Sequence, residues 1–145
     1  MVTLSQRQIA LVAAVLFAIA GGIFLVVVTM TLGDRPKPNF VWLVGLTVPV
    51  IVFAATGFRI GGRSLPRSDT PLIVRTIGRG LLGTFIAFAL STLVLSVAFT
   101  LLNWNESFYD IFFAYFIFGL LWYWWLIIAL GALTGSGLFL LHRAA

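Results

Sequence analysis

Arg59-Ile60-Gly61-Gly62-Arg63-Ser64-Leu65-Pro66-Arg67-Ser68-Asp69-Thr70-Pro71-Leu72-Ile73-Val74-Arg75-Thr76-Ile77-Gly78-Arg79 is the polar interruption that divides an otherwise apolar chain into two halves. It carries five of the nine basic residues, Arg59, Arg63, Arg67, Arg75 and Arg79, against a single acid, Asp69. Outward from it in both directions the sequence turns hydrophobic. Of the 145 residues 61% are hydrophobic and 9% charged, which is more apolar surface than one water-soluble core can hide, so lipid must act as solvent.

The remaining charges fall in short clusters between four apolar runs. Each run supplies the roughly 20 helical residues that a hydrocarbon core of about 30 Å requires. The sequence therefore predicts an all-α integral membrane protein. It is a four-transmembrane-helix bundle, one membrane domain over 1–145, with helices at about 8–32, 40–58, 71–102 and 108–141 and a cytoplasmic Arg-rich loop at 59–79. A net charge of +5 would point to nucleic acid in a soluble protein. Here the basic residues are confined to segments between spans, where they first report topology, and no nucleic acid is expected.

Orientation follows from where those charges lie. If the N-terminus, the central loop and the C-terminus share a side, that side holds Arg7, the five loop arginines and Arg143, while the other holds Arg35 and Lys37. In short loops the basic side stays inside, so the expected location is the cell membrane, multi-pass, with both termini cytoplasmic. Trp42 and Trp104 would then mark the outer interface.

Along the chain, the first run passes Ala18-Ile19-Ala20, which imitates a signal-peptide cleavage site. It stays apolar to Val28, so an uncleaved helix is expected. Ala10, Ala14, Ala18 and Gly22 recur every four residues as a small-residue stripe suited to close helix packing. Pro49 in the second run withholds the donor that Gly45 would use and predicts a kink. Thr70 and Pro71 fit the N-cap and first position of the third helix. Within that helix Thr92, Ser96 and Thr100 form a line of hydroxyls, each able to bond the carbonyl one turn back. Ser107 and Asp110 have capping-box spacing at the start of the fourth helix.

The fourth run is the oddest. Eleven of the 22 aromatic residues fall between Phe108 and Trp125. At 1.5 Å per residue, Phe108 to Leu141 makes about 51 Å of helix, longer than a bilayer core needs. If Gly119 to Leu141 is the true span, Trp122, Trp124 and Trp125 fall near the outer interface and Phe108 to Phe118 becomes an extra aromatic arm. Phe112, Phe116, Trp122, Trp124 and Trp125 are the candidate surface for a partner or for lipid; filling space within a tilted bundle and its interfacial belt is the favoured reading. Gly131 and Gly135 add a second small-xxx-small face.

Catalytic signals are missing. No Asp, Glu, Lys, Arg or His lies inside any of the four spans once the third is taken from Gly80 and the fourth from Gly119, which argues against a proton-coupled pump. Without cysteine, and with His142 as the one histidine, neither metal nor cofactor is expected. Glu106 and Asp110, four residues apart, are better explained by a loop and a helix cap than by acid/base chemistry. The five arginines, Arg59, Arg63, Arg67, Arg75 and Arg79, are candidates for contact with anionic lipid headgroups. The expected function is thus a non-enzymatic accessory or assembly subunit of the membrane, touching lipid, a membrane-protein partner or its own copies. Alternatives are an oligomeric channel or small-solute transporter with the hydroxyl line and the Pro49 kink at its pathway and, less favoured, an enzyme acting on phospholipid.

Overall fold

The structure, a computed structural model, describes residues 5–31, 40–63, 71–102 and 107–144. These residues form four helices: α1 (Gln6–Thr31), α2 (Phe40–Gly61), α3 (Leu72–Leu102) and α4 (Phe108–Ala144). Three contain stretches long and apolar enough to cross a membrane, Gln6–Val28, Leu72–Ala98 and Phe108–Arg143, and Thr47–Gly61 is a shorter apolar helix. Arg67, Asp69, Thr70, the Gly33–Asn39 connection, Trp104 and Glu106 lie outside the described residues, as does the side chain of Trp42.

Helix ends follow local chemistry. Ser5 and Gln8 form a reciprocal cap on α1: the Ser5 N–H donates to Gln8 Oε1 at 2.8 Å and the Gln8 N–H to Ser5 Oγ at 3.3 Å. At the start of α3 the Pro71 carbonyl accepts from the Val74 and Arg75 amides, which puts the N-cap one residue later than the sequence suggests. α4 starts at Phe108 as the Ser107/Asp110 spacing predicts. The contact made there is the backbone bond from the Ile111 amide to the Ser107 carbonyl at 3.1 Å. α2 runs through Pro49 as one helix and takes in Arg59 before it ends.

Two antiparallel pairs, α1 with α2 and α3 with α4, make the closest contacts, and α2 against α3 joins them. Glycine sets both approaches. A Cβ at Gly57 would meet the Ala13 carbonyl oxygen at 2.6 Å and the Phe17 side chain at 2.7 Å, and one at Gly61 would run into Ala13. Phe17, fully buried, also reaches α3, where a Cβ at Gly83 would stand 2.9 Å from its ring. The ring therefore occupies a slot that exists because two facing residues have no side chain. In the other pair a Cβ at Gly135 would meet Ile77 Cα at 2.5 Å, one at Gly131 would meet Leu81 Cα at 2.8 Å, and one at Gly80 would collide with the Gly131 and Gly135 backbone.

Further along, each helix contributes one ring to a shared aromatic junction. Phe24 of α1 lies 6.4 Å from Phe53 of α2, 5.8 Å from Phe88 of α3 and 5.9 Å from Tyr123 of α4. Around this core the outside of every helix is apolar, with Val15, Ile51, Leu82 and Leu133 all exposed. Water would not tolerate so continuous an apolar exterior, whereas lipid does.

Candidate functional site

Two regions could carry a function: the basic end of the α2/α3 pair and the aromatic length of α4. At the basic end, the carbonyls left over where α2 stops are taken up by neighbouring helices. Gln6 of α1 donates from Nε2 to the Gly62 carbonyl at 2.9 Å, and Arg79 of α3 donates from Nη1 to the Arg63 carbonyl at 3.0 Å. Arg79 is thus held in place, half-buried, within electrostatic reach of the like charges of Arg63 and Arg75. Arg75 and Arg79 share a face of α3 one turn apart. Arg63 is exposed at the end of α2, and Arg59 is exposed in its last turn. Of the five arginines singled out in the sequence, Arg63, Arg75 and Arg79 converge.

In α4 the structure separates the five aromatic candidates into two groups. Phe108, Phe112 and Phe116 stack as a ladder, with centroids 5.9 and 5.5 Å apart. The ladder continues into α3, where Phe116 stacks on Phe88 at 5.8 Å and meets Phe85 edge-on at 6.5 Å. Phe116 therefore faces the bundle, and Phe112 stacks on it. Trp122, Trp124 and Trp125 do not face the bundle: they are 68%, 58% and 50% exposed.

Their level along the bundle follows from two contacts. A Cβ at Gly119 would touch the Phe88 ring at 2.6 Å, and Gly131 abuts Leu81. The three tryptophans lie between those glycines in α4, so they are level with the Leu81–Phe88 stretch of α3. This register sets the three tryptophans alongside α3 rather than at its Leu102 end. The aromatic half of α4 also reaches α3, through Phe116 against Phe85 and Phe88. Trp125 donates its indole N–H to the Trp122 carbonyl at 3.1 Å. Among the described residues, Trp122 and Trp124 have no acceptor for theirs.

The hydroxyl line of α3 is satisfied within the helix. Thr92 donates to the Phe88 carbonyl at 2.9 Å, Ser96 to that of Thr92 at 2.7 Å and Thr100 to that of Ser96 at 2.8 Å. Ser96 is fully buried. The hydroxyl protons are used inside α3, so this line offers no free donor to a solute. Thr84 and Thr134 approach across the α3/α4 contact at 3.4 Å, while Thr134 also bonds its own helix at the Leu130 and Gly131 carbonyls. No group of three or more potential metal-ligating side chains occurs among the described residues.

The small-residue positions differ between the two pairs. Gly131 and Gly135 lie against the α3 backbone, as described above. In α1 the buried face runs through Ala10, Ala13, Phe17, Ala20 and Gly21, while Ala14, Ala18 and Gly22 are half-exposed and a Cβ at Gly22 would meet nothing within 4 Å. A strict four-residue stripe winds off the contact face, because the helix repeats every 3.6 residues.

What fold and composition define is a small all-helical protein with helices of membrane-crossing length and apolar outer faces. Comparison with protein-family models, with curated proteins and with solved structures finds no match to this chain.

Proposed function

We propose that this protein is a non-enzymatic accessory or assembly subunit of the cell membrane. It crosses four times with both termini cytoplasmic, and it binds a partner membrane protein through the outward tryptophan face of α4. The observation that carries the reading is the depth of Trp122 and Trp124. Trp122 lies nine residues and Trp125 six residues from Gly131, roughly 14 and 9 Å along the helix axis. Gly131 packs against Leu81 at the basic end of α3, so in a core of about 30 Å the indoles are near its middle. Interfacial tryptophans satisfy their N–H groups with headgroups or water, and neither is available at that depth. Neighbouring helices offering a carbonyl or a Ser, Thr, Asn or Gln oxygen on either flank of α4 would supply the missing acceptors, since residues two apart on a helix point in different directions. The absence of Asp, Glu, Lys, Arg and His from the middle of the apolar runs, and the internally bonded hydroxyls of α3, support a binding role over transport or catalysis.

The test places a photo-crosslinking side chain at Leu121, which is 66% exposed on the same stretch of α4, in the protein's own membrane. The expected result is one discrete adduct with a different membrane protein, its yield severalfold lower in the Trp122→Phe/Trp124→Phe double variant, which keeps an aromatic ring at each position and removes the N–H donors. An adduct between two copies of this chain, or none at all, would overturn the accessory-subunit reading.

A further inference from the structure

We propose that Arg63, Arg75 and Arg79 form a binding site for the phosphate of an anionic phospholipid at the end of the α2/α3 pair. The basic excess of a cytoplasmic loop accounts for arginines being on this side, but not for three of them converging from two helices. Arg63 closes α2, Arg75 and Arg79 occupy one face of the first turns of α3, and the bond from Arg79 Nη1 to the Arg63 carbonyl brings the two helix ends together. Holding one guanidinium near two others costs Coulomb energy unless an anion lies among them. The segment from Arg59 to Arg79 carries five arginines and one carboxylate, a net positive surface that attracts anions.

The position of Arg75 adds an independent reason. It lies in the first turn of α3, which has no acidic residue, and a cation there opposes the positive end of the helix dipole. A phosphate beside Arg75 would be attracted both by the helix end and by the guanidinium forks, which match phosphate oxygens two at a time. The neighbouring surface favours a lipid over a soluble phosphate. Ile73 and Val74, 46% and 56% exposed, lie in the same first turn of α3 and give this helix end apolar surface against which the glycerol and upper acyl carbons of a headgroup would rest. A free phosphate would gain nothing from them.

The purified full-length protein, in micelles of a zwitterionic detergent, is titrated with phosphatidic acid and with phosphatidylcholine, and bound lipid is read by native mass spectrometry. Phosphatidic acid should be retained in preference. Arg75→Gln/Arg79→Gln should lower its retention about tenfold. Arg7→Gln/Arg143→Gln, which removes the same charge elsewhere on the basic side, should change it less than about twofold. Millimolar inorganic phosphate should not displace it. Equal losses in both double variants would reduce the site to diffuse surface charge and overturn the proposal. Displacement by inorganic phosphate would overturn the lipid assignment. If the Gln pair does not purify as a single species, Arg75→Lys/Arg79→Lys keeps the charge and removes the forks. It should lower retention about threefold, and unchanged retention would again overturn the site. Tryptophan-face crosslinking is unaffected by any of these outcomes, so the two readings fail separately.

Discussion

Gly135→Ala should destabilise the protein by about 2 kcal/mol, although alanine is the better helix former. The added Cβ would stand 2.5 Å from Ile77 Cα, 2.9 Å from the Thr76 carbonyl oxygen and 3.1 Å from that of Ile77, where ordinary contact begins near 3.4 Å. Every one of these atoms is backbone, so no rotamer change relieves the clash and the α3/α4 pair must separate by about 0.9 Å. Separation loosens what the close approach holds together: Gly80 against Gly131 and Gly135, and Thr84 against Thr134. Overpacking that displaces backbone costs about 3 kcal/mol at the upper end of its usual range. Replacing glycine inside a helix returns up to about 1 kcal/mol. The net is about 2 kcal/mol, roughly a thirtyfold shift in the folded ratio. Reversible unfolding in lipid–detergent bicelles, followed by circular dichroism or steric trapping, measures it. Gly22→Ala is the reference, because nothing lies within 4 Å of a Cβ there, and it should be neutral or stabilising by up to about 1 kcal/mol. If the two variants unfold within about 0.5 kcal/mol of each other, backbone contact does not hold α3 to α4 and the packing described here is wrong.

Phe17→Ala should empty the slot between Gly57 and Gly83 and cost about 2 kcal/mol by the same unfolding assay. That is less than the usual Phe→Ala value of about 3–5 kcal/mol, because lipid rather than water surrounds the unfolded reference state and only the packing loss remains. Ser5→Ala should cost about 1 kcal/mol and speed hydrogen exchange in the first turn of α1, since it removes one half of the Ser5–Gln8 cap. Ser96→Ala should leave solute flux in proteoliposomes unchanged from that of protein-free liposomes, because the hydroxyl is buried and bonded to the Thr92 carbonyl. A flux that the substitution abolishes would restore the channel alternative.

The helices themselves are legible because membrane-crossing length is a one-dimensional property: an apolar run either reaches about 20 residues or does not. The faces by which helices meet are not one-dimensional. Ala10, Ala14, Ala18 and Gly22 look like an interface as long as α1 is considered alone. The buried face includes the bulky Phe17, and it can do so because Gly57 on α2 and Gly83 on α3 leave room for the ring. No periodicity in α1 encodes a hole made by two other helices. The Gln6 and Arg79 contacts with the end of α2 are invisible for the same reason, since they join residues 56 and 16 positions apart. The Ser5–Gln8 cap, by contrast, was open to reading from its Ser-x-x-Gln spacing. Convergence of Arg63, Arg75 and Arg79 lies between these cases: the spacing of Arg75 and Arg79 is written in the sequence, and the arrival of Arg63 depends on how α2 ends.

α4 carries this distinction into function, because its aromatic residues look alike in sequence and divide once their register against α3 is known. Phe112 and Phe116 have stacking partners within the chain, so truncating either should lower stability before it affects any partner. The tryptophans allow a sharper separation, since Trp125 already donates to the Trp122 carbonyl while Trp124 has no acceptor among the described residues. Trp124→Phe and Trp125→Phe remove the same N–H from nearly the same exposed surface. If the face serves only as lipid contact, the two variants should behave alike in every binding assay. If a partner helix supplies the acceptor, Trp124→Phe alone should weaken the crosslinked complex, by about fivefold for one buried hydrogen bond of roughly 1 kcal/mol. Equal yields from the two variants would return the α4 surface to lipid.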